Sequence, residues 1–195
     1  METLIELDKK LLLFFNGYHH PAIDPIVFYL TKTYFWLPLY VLLIFLIFKK
    51  YKSEGWYILL GAALTVLLAD QITSSLMKPF FERLRPSQEP SLQGLVHLVN
   101  GYKGGLYGFA SSHAANTFGV ALFVWLALKK QYRWIGWIFL WALLMTYTRI
   151  YLGVHYPGDI FCGALVGLAS GWAGFRFSKW LLARYAIGSK TSGPV

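Results

Sequence analysis

WYILLGAALTVLLADQITSSLM, residues 56–77, carries a single charged side chain, Asp70, before the chain reaches Lys78. A helix rises about 1.5 Å per residue, so a run of this length crosses the roughly 30 Å hydrocarbon core of a bilayer. Working outward, four more runs share its character. Residues 26–48 carry only Lys32, residues 112–128 carry no charge, residues 134–152 carry only Arg149, and residues 160–182 carry only Arg176 and Lys179 near their end. Pro38 falls inside the first of these and is expected to kink it, as a membrane bundle tolerates.

The whole composition agrees with these runs. Of 195 residues, 56% are hydrophobic and only 14% are charged, against about 25% charged in a soluble domain; the mean hydropathy is +0.48. The net charge of +9 would suit a nucleic-acid binder, but this apolar content excludes one, and it excludes disorder. A lone cysteine, Cys162, leaves no disulfide framework and no multi-thiolate metal site. Residues 4–15 alternate apolar side chains with Glu6, Asp8, Lys9 and Lys10 and stop at Asn16-Gly17. That segment is too short to span and lacks a small-residue cleavage site, so it reads as an interfacial amphipathic helix rather than a signal peptide. The expected fold is therefore all-α: one domain over residues 1–187, a polytopic membrane helix bundle of about five transmembrane helices plus the N-terminal helix. A disordered tail is expected at 188–195.

Five spans put the termini on opposite sides. The side reached by the loops near Lys49 and Lys129 and by the C-terminal end holds ten basic residues against the single acid Glu54; the other side holds eight basic and eight acidic residues. Basic loops stay in the cytoplasm, which places the second side outside, in the periplasm of a bacterium. The compact size points to a bacterial chain.

The polar residues at membrane depth gather on that second side. Lys78 ends the second span, Ser111, Ser112 and His113 begin the third, Arg149 ends the fourth, and His155 and Asp159 precede the fifth. Ionisable groups at such depth mark function by default. Three cations, Lys78, Arg85 and Arg149, with two hydroxyls and a helix N-terminus, describe a phosphate site. Asp159 follows His155 by four residues, close enough to hold Nδ1 and leave Nε2 as a nucleophile.

These residues carry a resemblance. Lys78-Pro-Phe-Phe-Glu-Arg-Leu-Arg85-Pro86 resembles the K-x6-R-P motif of the type 2 phosphatidic acid phosphatase (PAP2) superfamily. Ala110-Ser111-Ser112-His113 is similar to its P-S-G-H, and Thr148-Arg149-x5-His155-x3-Asp159 to its S-R-x5-H-x3-D. The resemblance runs from Lys78 to Asp159, a little under half the chain, with three motifs in order; Ala110, Ser112 and Thr148 are its departures. It implies a PAP2, haloperoxidase-like helical core and a metal-independent lipid phosphatase with no cofactor. His155 would form a phosphohistidine, Asp159 would orient it, and His113 would serve as acid and then base. Lys78, Arg85, Arg149, Ser111 and Ser112 would hold the phosphate. The family usually has six spans, and the N-terminal helix here stands where the first would be.

The expected partners are a lipid phosphate and the surrounding membrane lipids, with no nucleic acid. Undecaprenyl diphosphate is the first reading on prior alone; phosphatidylglycerophosphate, phosphatidate and the lipid A phosphates are the alternatives. Readings of another class are a bis-histidine haem cytochrome, disfavoured by three cations beside its ligands, and a non-catalytic lipid-binding or transport protein. Asp70 reads as structural, Glu82 and Arg83 as a loop ion pair or headgroup contacts, and His19, His20 and His97 as surface histidines.

Overall fold

A computed structural model describes residues 2–185; the tail expected at 188–195 lies outside the described residues. Among the described residues eight α-helices follow one another: α1 (Glu2–Gly17), α2 (Asp24–Leu30), α3 (Leu37–Tyr51), α4 (Gly55–Asp70), α5 (Lys78–Phe81), α6 (Ser112–Leu128), α7 (Ile138–Tyr151) and α8 (Pro157–Tyr185). Among the described residues there is no strand, only an isolated bridge between Leu84 and Tyr107. A π-helical stretch, Gln71–Met77, joins α4 to α5, so the helix runs unbroken to Phe81.

Two stretches among the described residues are long and apolar enough to cross a membrane by themselves, Thr33–Phe81, which includes a helical hairpin, and Pro157–Tyr185; Ser112–Leu128 is a shorter apolar helix. Their outer surfaces are greasy. Phe45, Trp56, Leu67, Trp137, Leu143, Phe161 and Trp172 are all more than half exposed, an apolar belt that water would not tolerate at this extent and lipid would cover.

The expected kink at Pro38 does not form. The first apolar run instead breaks at Thr31-Lys32, and α3 starts afresh at Leu37 with Pro38 in its first turn, where the missing N–H is not needed. At the break the Thr31 hydroxyl accepts a hydrogen bond from the buried Arg149 guanidinium.

The centre of the bundle is α4, α6 and α8, and small residues set their spacing. A Cβ on Gly163, Gly167 or Gly171 of α8 would collide with the backbone oxygens of Ser111, Ala115 and Gly119 of α6, respectively. On the other flank, Gly174 meets Gly61 and Thr65 of α4. Glycines four residues apart share one helix face and let two backbones touch, the small-residue packing of membrane helices. The seam has a consequence for chemistry. Gly163 abuts Ser111 at the start of α6, and the Ser111 N–H donates to the Asp159 carbonyl at 3.0 Å. The first turns of two helices are thereby fixed against each other. Bulky side chains fill the far end, where Lys50 and Tyr51 both donate to the Ala127 carbonyl.

Candidate active site

The α7–α8 turn carries the centre of the site. Gly153, at φ +67°, turns the chain where a Cβ would strike Val96 and the His97 carbonyl; a positive φ with no room for a side chain calls for glycine. Pro157 then opens α8, which leaves His155 facing Asp159 across one turn. His155 Nδ1 lies 3.3 Å from Asp159 Oδ2, and the same oxygen accepts the Tyr156 N–H at 3.0 Å. On the other side of the ring, Arg85 Nη1 lies 3.1 Å from His155 Nε2. A guanidinium can only donate, so Nε2 carries the lone pair and Nδ1 carries the hydrogen that points to Asp159. Burial, followed by the charges of Arg85, Arg149 and Lys78, holds the His155 imidazole well below its usual pKa, so it stays neutral.

Each cation reaches the site from a different segment. Arg85 stands on the loop after α5, anchored by Nε to the Tyr107 carbonyl at 3.1 Å and by Nη1 to the Val154 carbonyl at 3.3 Å. Burial and the neighbouring Arg149 lower its pKa. Arg149, 2% exposed, donates from Nη1 to Thr31 at 2.6 Å and from Nη2 to the Tyr102 hydroxyl at 3.4 Å, while its buried Nε has no partner. An orphaned guanidinium N–H is costly to bury unless an anion comes to meet it. Lys78 follows the π-helical stretch and donates to Ser112 Oγ. The wide turn brings Thr73 and Ser74 to that same hydroxyl, at 3.0 and 2.9 Å.

Ser111 caps α6, accepting the Ala114 N–H at 3.4 Å, and is fully buried. Its hydroxyl therefore serves the helix. His113 is in the first turn of α6, within range of the charges of Arg149, His155, Arg85 and Lys78. It also forms part of the lining of a groove of about 430 Å³, walled by Leu43, Ile47, Ala63, Val66, Val124 and Met145 with Asn116 and Thr117 near His113 in sequence. Among the described residues no group of three or more His, Cys, Asp or Glu comes together to hold a metal. The donor set is instead cationic and suits an anion.

All eight residues read from the sequence thus lie in one region. Several partners escaped that reading. Thr31 and Tyr102 hold Arg149. Gly108 lets the loop pass over the site, since a Cβ there would sit 3.1 Å from both Arg85 and Asp159. The loop residue Arg83 does not pair with Glu82; it bridges Asp159 at 2.8 Å and Asp8 of α1 at 2.7 Å. The charge balance between Asp159 and Arg83 raises the Arg83 pKa in spite of its burial. Nor is His97 a free surface histidine: its Nε2 is 3.1 Å from Asp24, and its ring stacks on His19 at 3.7 Å. Asp70 accepts from Ser74 at 3.1 Å, a structural partner one turn away.

Comparison with known proteins gives a consistent picture. Residues 54–183 match the model of the PAP2 superfamily. A lipid A 4′-phosphatase of Bacteroides thetaiotaomicron is 42% identical over 188 residues, 94% of this chain and 82% of that protein. A lipid A 4′-phosphatase of Porphyromonas gingivalis is 39% identical, covering 94% of this chain and 77% of that protein. An undecaprenyl-diphosphatase of Sulfolobus acidocaldarius is more distant, at 28% identity over 85% of this chain and 76% of that protein. Among solved structures, Aquifex aeolicus LpxE superposes with a TM-score of 0.62 at 30% identity, covering 87% of this chain and 95% of that one. With the matched model spanning the three motifs and most of the helical bundle, the chain belongs to the PAP2 superfamily.

Proposed function

We propose that this membrane protein is a metal-independent phosphatase that removes a phosphate monoester from a lipid A-type glycolipid through a phosphohistidine on His155. The observation that carries the chemistry is the placement of the His155 ring, Nδ1 3.3 Å from Asp159 and Nε2 3.1 Å from Arg85, which turns the Nδ1 hydrogen to the carboxylate and the Nε2 lone pair to the guanidinium. The incoming phosphate takes Arg85 as its own partner, together with Arg149 and Lys78, and uncovers Nε2. Nε2 attacks phosphorus and the ester P–O bond breaks, while His113 protonates the departing oxygen. Water then attacks the phosphorus, His113 receives its proton, the P–N bond breaks, and inorganic phosphate leaves. The cations bear the charge that spreads over the equatorial oxygens in both steps.

The choice of lipid rests on the relatives. Two of them act, by name, on the 4′-phosphate of lipid A at 42% and 39% identity, whereas the undecaprenyl-diphosphatase shares 28%. That difference favours the glycolipid monoester over the undecaprenyl diphosphate preferred from sequence alone. The groove beside His113 supports a substrate with acyl chains: its wall is apolar and it opens next to the group that would protonate the leaving oxygen. The basic excess at the opposite end of the bundle supports a site that faces the periplasm from the inner membrane of a bacterium.

Phosphate release by purified protein in mixed micelles tests this. Lipid A 4′-phosphate should give the highest kcat/KM in a panel with undecaprenyl diphosphate, phosphatidylglycerophosphate and phosphatidate, and a chelator should leave the rate unchanged. Preference for undecaprenyl diphosphate overturns the substrate; loss of activity in chelator overturns the metal-free chemistry.

A further inference from the structure

Asp159 has two oxygens, and the scheme above uses only one of them. Oδ2 faces His155 at 3.3 Å and accepts the Tyr156 N–H. Oδ1 receives Arg83 Nη1 at 2.8 Å, shorter than the contact to the histidine. The carboxylate is fully buried, so its charge needs a partner close by. Arg83 is that partner, and it is itself held on three sides. Its guanidinium stands over the Tyr156 ring, 4.0 Å from the centroid. Its Nη2 donates to Asp8 Oδ2 at 2.7 Å. Asp8 in turn accepts the Gly158 N–H at 2.8 Å, in the first turn of the helix that carries Asp159.

We propose that Arg83 is a positioning residue that aims Asp159 at His155, and that Asp8 of the N-terminal helix locks it in place, making α1 a working part of the catalytic centre. The proposal rests on the phosphatase reading of the site. The rigid fork of the guanidinium gives Nη1 to Asp159 and Nη2 to Asp8 at a fixed mutual spacing, a geometry that the single ammonium point of a lysine does not reproduce. Asp8, Arg83 and Asp159 form an alternating row of charges; removal of the central cation leaves two carboxylates without the charge between them. The same helix is fastened a second time. Asn16 Nδ2 donates to the Ile150 and Tyr151 carbonyls at 3.1 and 2.8 Å, at the end of α7. Asp8 and Asn16 thus bracket the segment that contains His155, one at each end. Between them α1 leaves Leu11, Phe14 and Phe15 exposed, an apolar face for the membrane interface.

The test is steady-state phosphate release on whichever panel lipid the wild type hydrolyses, with thermal melting as the check on folding. Arg83→Ala and Arg83→Lys should lower kcat about 10- to 100-fold with KM within about twofold, because the ground-state phosphate contacts remain. Asp8→Asn should do the same to a smaller degree. In the double variant Arg83→Ala with Asp8→Asn the losses should not multiply, since the second residue acts through the first. Glu82→Gln, next door and exposed, should match the wild type. If Arg83→Ala fails to fold, Arg83→Lys and Asp8→Asn carry the same comparison. A wild-type kcat in the Arg83 variants, a loss confined to KM as for a direct phosphate ligand, or fully multiplicative losses with Asp8→Asn each overturn the proposal. A wild type inactive on every lipid overturns the phosphatase reading and this inference with it; an active wild type with indifferent Arg83 variants overturns the inference alone.

Discussion

The two histidines of the site live in opposite surroundings. His155 is sealed, 1% exposed, between a carboxylate and a guanidinium, and its neighbours come from loops and helix ends. His113 stands at the first turn of α6 beside an apolar groove whose walls are the flanks of α3, α4, α6 and α7. One histidine is specified by charge and hydrogen-bond direction, which discriminate sharply over short distances; the other faces a surface that recognises by area alone. In a lipid phosphatase this divides the labour. On the proposed reading the sealed side handles the phosphate, the same in every substrate, and the open side meets what the phosphate is attached to.

The most severe way to break this comparison is to remove each histidine in turn. His155→Gln should lower kcat by about 10⁴-fold or more, because the substitution removes the attacking ring nitrogen itself. His113→Gln should cost about 10²- to 10⁴-fold on a lipid whose alkoxide must be protonated. The two variants separate on a nitroaryl phosphate, whose leaving group needs no proton: His113→Gln should recover much of its first step, measured as a burst of released phenolate, and His155→Gln should recover nothing. Equal recovery by both would mean that the roles are not divided in this way.

A gentler break narrows the groove. Ala63 belongs to α4 and lines it, so Ala63→Phe should exclude part of an acyl chain. Each methylene denied burial costs about 0.8 kcal/mol, and two of them reduce kcat/KM on the long-chain lipid by about tenfold. A short-chain or chain-free phosphate ester should be turned over as by the wild type. A loss that ignores chain length would show that the groove does not hold the substrate.

What the sequence disclosed follows the same division. The apolar runs and the three motifs were legible because each is local: a span is a continuous stretch, and Lys78 to Arg85 or His155 to Asp159 keep fixed short spacings. Thr31, Tyr102, Gly108 and Asp8 were not, because each meets its partner through the fold. Asp8 and Arg83 are 75 positions apart, and an acid in an amphipathic helix has the same local pattern whether it is solvated or buried against an arginine. Arg83 lay inside the first motif, at a position the motif leaves free. Pro38 is a different case: the apolar run carries no sign of a break at Thr31-Lys32, where Thr31 meets Arg149, a partner 118 positions away.

The smallest expected effect concerns a place where this chain departs from its family. Ser112 stands where the motif has glycine, and its hydroxyl gathers Thr73, Ser74 and Lys78. One hydroxyl offers a single hydrogen and two lone pairs, enough to accept from Thr73 and from Lys78, which can only donate, and to give its hydrogen to Ser74. Without that hydroxyl, Lys78 keeps only a long contact of 3.4 Å to Ser74. The ammonium then searches more rotamers before it meets the phosphate. A single hydrogen bond of this kind contributes about 1 kcal/mol, so Ser112→Gly should raise KM by about fivefold and leave kcat near the wild-type value. Lys78→Ala, which removes the charge itself, should lose considerably more. A fall in KM for Ser112→Gly would mean that the hydroxyl competes with the substrate for Lys78, and that the polar side of the site is held closed by its own hydrogen bonds until a phosphate displaces them.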